Sequence, residues 1–338
     1  MKRFFVFFTM AVMTSVSALS QSALIATLTH EGNISTFYGA SALQQAHAAA
    51  ADGDIITLSS GSFQSVDITK GVTIRGAGMQ FMDNGAEPTI ITGDFNIGSF
   101  NAGPVQNLTI EGIYSNSTVR YSTAVINATF LKCRFRTFGM HGAGDDARLQ
   151  DAQFIHCRVG NELQLFGSSS ATCIGCVIWF PLTGSDGYNS FQMSNCVLYS
   201  GNSWDGFQNS SLRNCILIAD REYAIPSSTN VYNCVDVYEN EGTSLFNNVP
   251  NSTNKRVQGL SNILKSGTMT YGDSFTYELT DEALATYLGS DGTQVGIYGG
   301  NLPFDATPTN PQIKKCNVAS RSTADGKLSV EIEVSSAQ

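Results

Sequence analysis

The sequence predicts an all-β fold: a single-stranded right-handed parallel β-helix with an N-terminal capping helix and a C-terminal strand tail. Three observations carry this. A cysteine recurs six times, at Cys133, Cys157, Cys176, Cys196, Cys215 and Cys234, in steps of 24, 19, 20, 19 and 19 residues. The residues following each cysteine alternate, as in Cys196-Val197-Leu198, the period-two mark of a strand with one buried face. Asn195, Asn214 and Asn233 precede the last three cysteines, and asparagine tolerates the left-handed backbone of a tight corner. A strand, a corner and a return to register after ~20 residues describe one coil of a solenoid, with parallel strands ~4.8 Å apart.

The pattern extends upstream without cysteine. Leu108, in Asn107-Leu108-Thr109-Ile110, takes the cysteine position, and so does Val72, in Gly71-Val72-Thr73-Ile74. These lie 36 residues apart, which reads as two steps of 18 with Pro88–Ile91 as the middle rung. Adding Asp54–Leu58 gives about ten rungs and a rod of roughly 45 Å. One coil cannot bury its face alone, so the stack is the stabilising unit. Ser41–Ala51, rich in alanine, is a helix with Ser41 as its N-cap, placed to cover the open end of the core.

After Cys234 the repeat fades. Tyr271–Leu284 reads as a strand and a short helix, Asp305–Pro311 as a Pro/Thr/Asn linker. Lys327–Val334 alternates strictly, with Leu328, Val330, Ile332 and Val334 on one face of a final strand. The division is a signal peptide over 1–20, the β-helix over 21–303, and linker and strand tail over 304–338. Lys2 and Arg3 precede the apolar Phe4–Met13, and Val16-Ser17-Ala18 or Ala18-Leu19-Ser20 supplies small residues for cleavage. Ten apolar residues fall short of the roughly twenty a membrane span needs. The expectation is an exported protein, secreted or at the cell surface, with no transmembrane segment in its mature chain.

Charged residues are 14% of the chain, net charge is −9 and no basic run occurs, which excludes nucleic acid as a partner. Eight cysteines in an exported chain suggest four disulfides. In the repeat, however, stacked cysteines have parallel Cβ vectors, a poor geometry for a bridge, so a ladder of buried free thiols is expected instead. Cys173 and Cys176 form a Cys-x-x-Cys with no second pair at zinc spacing, and Cys316 is unassigned.

Ala42–Gly78, an alanine-rich helix followed by Asp52-Gly53-Asp54, a rung and Gly71-Val72-Thr73-Ile74-Arg75-Gly76-Ala77-Gly78, resembles the opening coil of pectin-lyase-like β-helix proteins. The Asn-Cys rungs and Gly292–Gly300 resemble secreted β-helix proteins of gut Bacteroidetes. The resemblance covers about residues 40–300 and implies the fold. It leaves activity open, because that superfamily includes polysaccharide lyases, polygalacturonases, esterases, epimerases and non-catalytic adhesins. A leucine-rich repeat is the rival scaffold, but it needs several leucines per repeat and these coils have one or none.

Two rungs stand out. Lys132, Arg134 and Arg136 flank Cys133, and His156 and Arg158 flank Cys157, all at positions read as outward. The neighbouring long loop carries His141, Asp145, Asp146 and Arg148. Such a basic stripe would attract an anionic chain such as a uronate-containing glycan. A lyase needs a base for the proton α to the carboxylate and cations for the enolate charge, for which Lys132, Arg134, His156 and Arg158 are the candidates. Asp145-Asp146 faintly resembles the polygalacturonase acid pair, but that family's remaining motifs are missing. Asp186 and Asp205, 19 residues apart, offer a weak Ca2+ site, with Tyr188 and Trp204 beside them for stacking on sugar faces. No other cofactor is expected. The expected function is a non-catalytic, exported β-helix binding a polysaccharide or a surface protein; the alternative is a polysaccharide lyase acting on an acidic glycan. Convergence of the basic residues in one cleft favours the lyase, a flat solvated face the binding protein.

Overall fold

The computed structural model describes residues 24–81, 87–99, 102–141, 147–183, 189–200, 207–219, 224–239, 242–268, 276–318, 321–322 and 325–335. The expected signal peptide lies outside them. The chain forms a parallel β-solenoid of about eight turns. An 11-stranded and a 12-stranded sheet form two of its walls, and a three-stranded sheet, Val105–Gln106, Ala124–Ile126 and Arg148–Gln150, forms part of a third.

Period-two alternation produces the inner columns. In the 11-stranded sheet Ile56, Ile74, Ile110, Phe130, Phe154, Cys173, Met193, Leu212 and Val231 stand in register, all buried. Phe130 and Phe154 stack at 4.8 Å between ring centroids. The thiol ladder is present: Cys133, Cys157, Cys176, Cys196, Cys215 and Cys234 are free and buried, as is Cys173 in the neighbouring column. The thiols satisfy their polarity on the previous rung's backbone, as in Cys157 Sγ donating to Phe130 O (3.2 Å) and Cys176 Sγ to Phe154 O (3.2 Å). Burial pushes the Cys157, Cys196 and Cys234 thiols up, so they stay protonated and behave as small core residues.

Each coil around residues 107–157 has two left-handed corners, and this corrects the upstream register. Asn107 and Asn127 (φ 56° and 55°) mark one corner, Lys132 and His156 (φ 51° and 53°) the other. Thr109 pairs with Thr129, so Leu108 aligns with Ala128, and the residue that continues the cysteine column is Ile113. The two corners look alike in sequence because both need the same backbone. Thr73–Arg75 pairs directly with Thr109–Glu111, and Thr89–Thr92 belongs to the 12-stranded sheet. The 36-residue interval is therefore one long coil, not two short ones.

At the N-terminal end, Ile25–His30 and Asn33–Tyr38 form an antiparallel hairpin against Ile55–Leu58. The helix Ala42–Ala49 packs Ala42, Leu43 and Ala46 into the core. Ser41 sits at its N-cap position without capping; its Oγ accepts from Gln45 Nε2 instead. At the last coils Asp236 follows Leu217 in the inward column and is 1% exposed, held by Leu245 N, Ser244 Oγ and Arg256 Nε. Burial raises the Asp236 carboxyl against these partners.

The C-terminal part of the chain folds back on the outside. On the outer face of the 12-stranded sheet, Val177, Val197, Ile216 and Val235 are buried under Ile263, Leu264, Leu279, Ala283, Val295 and Ile297, a second apolar core separate from the first. The helix Asp281–Thr286 in this cover is capped by Thr280, whose Oγ1 accepts from Ala283 N.

Candidate functional site

From residue 289 to residue 310 the chain forms a strap that climbs back along the corner column toward the N-terminal end. At the lowest contact Asn214 Oδ1 accepts from Ser290 N (3.0 Å). At the next, Asn195 Nδ2 donates to Gly296 O (3.4 Å), with Gly299 and Gly300 against its side chain. A Cβ on Gly299 would lie 1.7 Å from Gln294 O, so the close approach requires glycine there.

Past Gly175, which holds the next corner, His156 and then Lys132 stand at the following two, and the contacts change with them. His156 Nε2 lies 3.1 Å from Leu302 O; a carbonyl only accepts, so Nε2 carries the proton. Its Nδ1 is buried without a hydrogen-bond partner among the described residues. Lys132 Nζ donates to Asp305 Oδ2 (2.9 Å) and Thr307 O (2.8 Å). Burial alone would raise the Asp305 carboxyl, but hydrogen bonds from Lys132 and Thr307 hold it below its ordinary value. Arg158, 5% exposed, lies over the Phe304 ring at 5.2 Å. Asn310 Nδ2 then reaches Gly76 O (2.8 Å).

The basic residues are thus not an open outward stripe. Lys132 and His156 are 7% and 6% exposed and occupy corners, not strand faces. Arg134 is half-buried, its guanidinium 4.6 Å over the Tyr114 ring, and Arg136 is exposed. Arg148 belongs to the three-stranded sheet, on a different wall. His141 ends the strand Arg134–His141, paired with Tyr121. Asp145, Asp146, Asp186, Tyr188, Trp204 and Asp205 lie outside the described residues, and with them the candidate Ca2+ pair. Among the described residues no group of His, Cys, Asp and Glu is arranged to hold a metal.

What the structure brings to Lys132, His156 and Arg158 is Leu302, Phe304, Asp305 and Thr307, none of which stood out in the sequence. The available signal was substitution within the corner column: His and Lys stand where later rungs carry glycine (Gly175) or asparagine. Chemically, the arrangement anchors a strap, with each cation or donor met by a carboxylate, a carbonyl or a ring. Comparison with family models, with curated proteins and with solved structures returned no match to this chain.

Proposed function

We propose that this protein is an exported, non-catalytic, right-handed parallel β-helix that binds a polysaccharide or a surface protein, with the helix Ala42–Ala49 closing its N-terminal end. The observation that carries the reading is the internal satisfaction of the basic residues. A lyase needs cations that face bound substrate and are free to meet charge developing on it. Lys132 is already committed to Asp305, and Arg158 is covered by Phe304. No helix among the described residues is long and apolar enough to cross a membrane.

The binding surface we favour is a groove of about 350 Å3 lined by Tyr199, Ile218, Val237, Glu239 and Leu260. It combines an apolar wall with a few polar groups, as ligand grooves do. The test is a panel of pectin, alginate, chondroitin and heparin. Retention of the protein on at least one, reduced by Tyr199→Ala and without ultraviolet absorbance from an unsaturated uronate, is the expected result. Appearance of that absorbance overturns the non-catalytic reading; no retention on any polysaccharide removes the glycan and leaves the surface protein.

A further inference from the structure

Residues 52–53, 69–72 and 104–107 each lead into one of three neighbouring strands, Ile55–Leu58, Thr73–Arg75 and Thr109–Glu111. On the outside of the solenoid these stretches enclose a groove of about 500 Å3, lined by Asp52, Thr69, Thr73, Pro104, Gln106 and Asn107 together with two glycines. Backbone contacts fix its shape. Gly53 N donates to Gly71 O (2.8 Å), and Gly71 N donates to Asp52 Oδ1 (2.8 Å). A Cβ on Gly71 would lie 1.9 Å from Gln106 O, so the third stretch closes on the second only at a glycine.

The lining therefore offers two hydroxyls, two amides and one carboxylate, and among the described residues no cation. Lys70, the one cation in these stretches, is spent elsewhere. Its Nζ donates to His47 O (2.8 Å), Ala48 O (3.0 Å) and Ala50 O (2.7 Å) at the end of the helix Ala42–Ala49. We infer that this groove binds a short run of an uncharged sugar chain. Hydroxyls and amides both donate and accept, while a carboxylate only accepts. Sugar hydroxyls do both, so they match Thr69, Thr73, Gln106 and Asn107 as well as Asp52. An anionic sugar would meet the Asp52 charge with no cation to offset it. An apolar ligand would take water from these polar groups and leave them unpaired. The volume falls within the range of small-ligand sites, and Pro104 supplies an apolar surface. This groove lies several coils from the one at Tyr199 and does not rest on the reading of that site.

The experiment is calorimetric titration of the full chain with cellotriose, maltotriose, mannotriose and xylotriose, with trigalacturonate as the charged control and hydrogen exchange alongside. At least one neutral trisaccharide is expected to bind with a Kd below about 1 mM and to slow exchange at residues 69–73 and 104–107. Thr69→Val and Gln106→Ala should each weaken it at least about fivefold, the loss of one hydrogen bond. Both side chains are exposed, so both variants keep the fold. Tyr199→Ala should leave this affinity unchanged, which separates the site from the other groove. The inference is overturned if none of the four binds below about 10 mM, or if trigalacturonate binds as tightly as they do. Binding that is lost in Tyr199→Ala and kept in both groove variants also overturns it, while leaving the Tyr199 groove as the glycan site.

Discussion

The outer face of the 12-stranded sheet is two surfaces on one set of strands. Tyr114, Arg134, Arg158, Val177, Val197, Ile216 and Val235 stand side by side in a single column. The first part is aromatic and cationic, with Arg134 half-buried against Tyr114; the second is aliphatic and sealed beneath the returning chain. Arg158 stands at the junction, under Phe304. In a solenoid, therefore, an outward position is not a solvated one. Hydrophobicity on the outside marks where the chain folds back, and a basic residue there can be a fastening.

The comparison breaks most sharply at Val197, which is 0% exposed on the outer face. Val197→Asp places a charge in the second core and should cost about 3–5 kcal/mol in chemical denaturation. A loss under about 1 kcal/mol would mean that the cover does not seal this face. Next is Asn214→Ala, which removes the acceptor of Ser290 N and puts alanine at φ 54°. About 1–3 kcal/mol should be lost, with hydrogen exchange accelerating in the strap near residue 290 before the inner rungs.

Asp305→Asn should have a smaller effect, about 1 kcal/mol, because the carboxylate is half-exposed although Lys132 is buried. Its pH dependence has a definite sign. The folded-state value is depressed, so this stability is present above the unfolded carboxylate's titration and is lost as pH falls through the folded one. Exchange at residues 302–307 should rise in acid in the parent chain and vary less with pH in Asp305→Asn. Arg134→Ala is the smallest change, under about 1 kcal/mol, since it gives up one half-buried cation–π contact. A loss as large as that of Val197→Asp would erase the distinction between the two halves of the face.

Much of the fold was legible. The cysteine interval marked the coil, the alternation marked the strands, and the asparagines before Cys196, Cys215 and Cys234 marked left-handed corners. Legibility failed where one signal had two sources. Asn107-Leu108 and Asn195-Cys196 read alike, yet they sit at different corners, which displaced the upstream register. The basic residues failed for another reason: beside a cysteine, Lys132 and His156 look like neighbours in a strand, but the corner turns them under the strap.

What the sequence by itself determined was the repeating part, because strand period, corner backbone and thiol size are local demands renewed every coil. Only the tertiary structure decided the meaning of the exceptions. Lys132 meets Asp305 across 173 residues and His156 meets Leu302 across 146. Those contacts depend on the path of a non-repeating strap, and a pairing made once leaves no periodic trace in the chain.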